Sequence, residues 1–109
     1  SKIFDGIYLC DVFELISPKD ENVFLKNAVS SLKDTGTMII GIPSIESQDL
    51  IEPEKRDPGH VNCKSGPELK KTIEAFFHNV FLFSMNDEIV HTGHHKMAHY
   101  LFCLACNPK

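Results

Sequence analysis

The sequence has no apolar run approaching the ~20 residues that span a bilayer, which excludes a membrane-spanning helix. It has no surplus of base. The formal net charge is −4, and Lys and Arg come in pairs such as Lys55-Arg56 and Lys70-Lys71. Nucleic acid, whose phosphates demand a basic face, is therefore not an expected partner. No charged-then-apolar leader opens the chain, and Ser1-Lys2-Ile3 offers no cap, so the expectation is a fragment of something longer. There is no internal repeat and no low-complexity tract. Cysteine is sparse: Cys10, Cys63, Cys103 and Cys106 lack the density of a secreted disulfide scaffold, and free thiols in a cytoplasmic protein are expected. Cys103-Leu-Ala-Cys106 has C-x-x-C spacing, but it sits in a strand pattern, where residues three apart point to opposite faces. His91, His94, His95 and His99 have no H-E-x-x-H helix or cysteine partner beside them. No metal is assigned to them, and a solvated hairpin is the reading.

What is present is one globular domain, or part of one: 109 residues, 42% hydrophobic and 24% charged. A chain of this length buries roughly two thirds of its unfolded surface. Its organising stretch is Leu32–Ser44, LKDTGTMIIGIPS. Lys33-Asp34-Thr35-Gly36 reads as a helix end with a left-handed glycine, and Met38–Ile42 as a buried strand that Pro43 closes. Before it, Phe4–Val12 reads as a strand. Ser17-Pro18-Lys19-Asp20 reads as the start of a helix that runs to about Lys33, with Phe24, Ala28 and Leu32 along one stripe. After it, Ile45–Asn62 is a polar loop long enough to be a lid or binding loop. Ser65-Gly-Pro-Glu68 is a capping box that starts a short helix through Phe76, with Leu69, Ile73 and Phe76 inward. Asn79–Met85 and Met97–Cys106 read as strands, antiparallel because no helix separates them. The expected fold is α/β: a mostly parallel sheet with an antiparallel C-terminal hairpin. Phe76, Phe77, Phe81, Phe83, Tyr100 and Phe102 are assigned to the core, with Tyr100 able to reach an edge.

FDGIYLCDVFELI, LKDTGTMIIGIPS, GHVNCKSGPELKKTI and the closing hairpin together resemble the C-terminal half of a class I S-adenosylmethionine-dependent methyltransferase. The resemblance covers residues 1–109. It implies a Rossmann-like half-sheet holding strands 4 to 7 of the order 3-2-1-4-5-7-6, with strand 7 antiparallel. Phe4-Asp5-Gly6-Ile7 through Val12-Phe13-Glu14-Leu15 is similar to the family's fourth-strand signature, with Leu15 where a histidine is usual. The glycine-rich loop that cradles the cofactor, and the acidic residue that holds its ribose, are absent from these residues.

The resemblance implies methyl transfer from S-adenosylmethionine to a small-molecule acceptor, with this chain forming one wall of the cofactor crevice and inactive alone. Cys10, Asp11 and Val12 would border the cofactor, with the Asp11 carboxylate facing its cationic end. A plain strand-ending aspartate is the other reading of Asp11. Glu14, Pro43, Ser44 and His91 fall on the acceptor side. His60 is the candidate general base, or else a loop anchor bonded to backbone. The implied partners are the missing N-terminal half, or a second copy joined through the open edge of strand Ile7–Val12. A non-catalytic, truncated or degenerate interaction module is the alternative function.

Overall fold

The computed structural model describes residues 2–45, 54, 59–86, 89–92 and 99–109. Its elements, in chain order, are β1 (Phe4–Cys10), α1 (Glu21–Ser30), β2 (Leu32–Pro43), α2 (Gly66–Glu74), β3 (Phe77–Asn86), β4 (Ile89–His91) and β5 (Tyr100–Pro108). A 3₁₀ turn, Phe13–Leu15, lies between β1 and α1.

Helix α1 is shorter than its sequence suggests, at both ends. Ser17 Oγ donates to Asp20 Oδ2 at 2.9 Å, and Asp20 N–H donates to the Ser17 carbonyl. That turn spends the serine oxygen before the helix begins, and Asp20 becomes the N-cap. At the other end the Ser30 and Ser31 hydroxyls donate to the carbonyls of Asn27 and Ala28. Hydroxyls that bond back in this way compete with the helix ladder. The chain is extended again by Leu32. Lys33–Gly36, expected as a helix end, therefore belongs to β2, and no described glycine has positive φ. Phe4 pairs with Leu32 and Gly6 with Thr37, so two steps along β1 match five along β2. The surplus bulges outward at Lys33–Gly36. A Cβ on Gly36 would lie 2.5 Å from Leu32 Cδ1 and 2.9 Å from the Lys33 carbonyl, so the bulge closes only around a bare backbone.

Helix α2 starts at its capping box. Ser65 Oγ accepts from Glu68 N–H at 3.3 Å and donates to Glu68 Oε1 at 3.1 Å. Leu69 and Ile73 are fully buried, and Phe76, just past the helix, is half-buried against the core.

The strands form one sheet in the order β1-β2-β5-β3-β4. Only β1–β2 is parallel; β2–β5, β5–β3 and β3–β4 are antiparallel. The expectation of a mostly parallel, Rossmann-like half-sheet is thus overturned. A strand that returns without a crossover helix and inserts between two others turns both of their pairings antiparallel. β4, a further hairpin strand that the polar segment Asn86–Lys96 hid, adds a third.

One face of the sheet is buried. Met38, Ile40 and Ile42 of β2 join Leu101, Cys103 and Ala105 of β5 in a cluster with Leu25 of α1 and Leu69 and Ile73 of α2. Phe77 belongs to this cluster, but Phe81 is 52% exposed on the opposite face, which Phe83 and Phe102 share, correcting the assignment of all three to the core. Cys103 is buried while Cys106 is only partly so, and the odd spacing puts them on opposite faces. Burial pushes the Cys103 thiol up to about 12, with Lys70 opposing and Glu74 adding to the effect. From the ordinary value of 9.0 up to about 12, the unfolded chain gives up this proton and the fold keeps it. Stability is full below that window and falls as pH rises through it. Cys103→Val should therefore flatten the pH dependence of the urea midpoint above pH 9.0, relative to wild type.

Candidate functional site

The parallel pair ends side by side. Cys10 of β1 pairs with Gly41 of β2, and the next residue, Asp11, has φ 60, in the left-handed region. Aspartate is among the few side chains that visit this region, at a cost of roughly 1 kcal/mol. Two partners hold it there. Asp11 N–H donates to the Gly41 carbonyl and to the Tyr100 hydroxyl, each at 3.1 Å, and Tyr100 Oη donates to Asp11 Oδ1 at 2.7 Å. Burial, then the bond to the Asp11 carboxylate, raises the Tyr100 phenol above its ordinary range, so it remains a protonated donor. Gly41 makes the arrangement possible. A Cβ there would lie 2.7 Å from Tyr100 Cε2 and 2.8 Å from Phe102 Cε1. The result is an exposed carboxylate in a fixed direction at the carboxyl ends of two parallel strands.

Val12 leads into the 3₁₀ turn, where Phe13 is fully buried with its ring 6.2 Å from that of Phe24. Glu14 follows, 1% exposed. Its carbonyl accepts from Val61 and Asn62 N–H, both at 3.0 Å, and so suspends the segment 60–64 from the turn. The same segment is tied to the end of β2, where Ser44 bridges Lys64 and Ile45 N–H donates to the Lys64 carbonyl. His60 Nε2 comes within 3.9 Å of Glu14 Oε2. Asn62 Nδ2 and Lys64 Nζ both meet Glu21 Oε2, at 2.8 and 3.1 Å. Cys63 is pushed up to about 11 by burial and then by the charge of Glu14, so it stays a thiol rather than a nucleophilic thiolate.

The structure thus gathers Cys10, Asp11, Val12, Glu14, Pro43 and Ser44 at one end of β1 and β2, and brings His60 onto Glu14. Glu14 and Ser44 are buried, at 1% and 0% exposure, whereas Cys10, Asp11 and Val12 are exposed. His91 is separated from them. It pairs with Ser84 on β4, at the opposite edge of the sheet from β1, four strand spacings or about 19 Å away. Sequence reading did not find Gly41, Glu21, Asn62 or Lys64. Tyr100 was legible as an edge-reaching aromatic, but its partner stands 89 residues earlier. The expected lid falls on 46–53 and 55–58, and His94 and His95 within 93–98, all outside the described residues. Among the described residues no group of three or more His, Cys, Asp or Glu gathers as for a metal ion, and no helix is long and apolar enough to cross a membrane. Comparison with family models, with curated proteins and with solved structures finds no match to this chain.

Proposed function

We propose that this chain forms one wall of an S-adenosylmethionine crevice and serves methyl transfer to a small-molecule acceptor. The observation that carries the reading is the exposed Asp11 carboxylate, fixed by Tyr100 at the carboxyl ends of β1 and β2. Ligands of open α/β sheets bind outside those strand ends. A directed carboxylate suits a ligand that bears both a sulfonium and an ammonium group. When bound, S-adenosylmethionine supplies the methyl group; the chain's own part is to orient its cationic end. Strand order adds support. β1, β2, β5 and β3 follow the order 4-5-7-6 of the resemblance, and the outer edge of β1 has no described strand beside it. The glycine-rich loop this reading needs is absent from the sequence, so it would come from a second polypeptide segment on that edge. The approach of His60 to Glu14, and the bonds of the next two amides to the Glu14 carbonyl, favour His60 as a loop anchor over a general base. Four free thiols fit a cytoplasmic setting.

The test is an NMR titration with S-adenosylmethionine, using adenosine as the uncharged control. Shifts should appear at the amides of Cys10, Asp11, Val12 and Gly41 with the charged ligand only. Asp11→Asn should weaken binding about tenfold, since hydrogen bonds to charged groups contribute about 1.5–3 kcal/mol. Unmoved amides, or an unchanged response in Asp11→Asn, would defeat the reading. The second reading, a non-catalytic interaction module, is favoured by one observation, an exposed apolar face of the sheet that no described element covers.

A further inference from the structure

We infer that the face of the sheet opposite the helices, which no described element covers, is a contact between two copies of this chain, which stack face to face. This does not depend on the methyl-transfer reading. Register aligns Tyr8, Ile39, Leu104 and Phe81 in one row across β1, β2, β5 and β3. The neighbouring row holds Gly41, Phe102 and Phe83, and Val90 stands beside Met85. Both described helices pack on the other face. Tyr8 is 78% exposed, Val90 53%, Phe81 52% and Ile39 40%, which in a folded chain is a large apolar debt to water.

Three properties point to a second copy as the occupant. The first is charge. Each chain carries a net −4, so two copies repel unless they meet where neither is charged. None of the positions in these rows is Asp, Glu, Lys or Arg. A charged partner would find no counter-charge here. The second is size. Four strand spacings by about seven residues give about 450 Å² in flat projection. With a rim one residue deep, the face reaches the roughly 800 Å² per partner of a stable contact. The third is shape. A hollow of about 340 Å³ is lined by Ile39, Phe83, Val90, Phe102, Cys103 and Leu104, and the exposed Phe81 is the register partner of Leu104 at its border. Each copy thus offers both a hollow and a ring to fill one, as an isologous contact requires. Aligned sheets packed about 10 Å apart bury such faces together.

Sedimentation velocity over a wide concentration range tests this, and the expected particle has twice the 12.3 kDa chain mass. Phe81→Lys and, separately, Ile39→Lys should raise the dimer dissociation constant by about two orders of magnitude, because each would bury an ammonium in an apolar contact twice per dimer. Both side chains are already exposed in the single chain, so far-UV circular dichroism and the unfolding transition should be kept. Val23→Lys, 63% exposed on α1, should leave the dimer intact. A wild-type monomer at every concentration would overturn the inference and leave the face to another polypeptide. Assemblies that grow beyond two would also overturn it, because an isologous contact closes at two. So would a dimer that survives both lysines, which would point instead to the open edge of β1.

Discussion

Phe13→Ala should lower the free energy of unfolding by about 3–5 kcal/mol and the melting temperature by about 15 °C or more. Phe13 is 0% exposed, and it is the side chain by which the 3₁₀ turn enters the core. Its removal deletes a full aromatic transfer term and leaves a cavity beneath Phe24, whose ring is 6.2 Å away. Domains of this size are held by about 5–15 kcal/mol in all, so this one truncation spends a large fraction of the margin. Its effect also reaches the loop, because Glu14, the next residue, carries the amides of Val61 and Asn62. Leu15→Ala is the matched control. Leu15 is 50% exposed at the end of the same turn, and its truncation should cost less than about 1 kcal/mol. Urea unfolding followed by circular dichroism measures both. A loss below about 1.5 kcal/mol for Phe13→Ala would show that the turn is not anchored through this ring.

Glu21→Ala should cost about 3 kcal/mol or more. The Glu21 and Lys64 side chains are only 17% and 11% exposed, and Glu21 Oε2 serves both the Lys64 ammonium and the Asn62 amide. Removing the carboxylate leaves an ammonium in a largely water-excluded place without that partner. The exposed pairs Lys2–Asp34 and Lys33–Asp5 are different, and alanine at Asp34 or Asp5 should change stability by less than about 1 kcal/mol. Glu21→Leu combined with Lys64→Met should recover most of the loss, since apolar residues of similar volume replace a buried pair at little or no cost. A double-mutant cycle reads this directly. Strict additivity of the two single changes would mean that the ions do not stabilise the fold as a pair.

The elements most legible in the sequence were those specified locally. The α2 capping box needs only Ser65, Pro67 and Glu68, and the Met38–Ile42 run reads as a strand from its own β-branched residues, although Ile39, expected buried with the rest, is 40% exposed. What failed was decided at a distance. Lys33–Gly36 looks like a helix stop because Gly36 follows a helical stripe, yet the serine hydroxyls of Ser30 and Ser31 had already ended the helix. Phe77 and Phe81 are both aromatic residues of one strand, and their even spacing, which alternation alone would put on one face, does not foretell that one is buried and the other 52% exposed. The parallel content was overestimated because the place of β5 in the sheet, rather than its sequence, fixes the sense of two pairings. At the site, Asp11 and His60 could be singled out by chemistry. Gly41 became a partner of Asp11 only through the pairing of β1 with β2, and Tyr100 through the pairing of β2 with β5.

The position of β5 also has a consequence for synthesis. The last of the described strands lies between β2 and β3, so a nascent chain cannot join these two parts of the sheet until Tyr100–Pro108 has left the ribosome. At 5–20 residues per second, the interval between completing β3 at Asn86 and completing β5 at Pro108 is roughly 1–4 s. Throughout it Phe77–Asn86, rich in phenylalanine, lacks the neighbour that pairs with it along most of its length. That window, longer than most elementary folding steps, is when the chain is most open to aggregation and most in need of a chaperone.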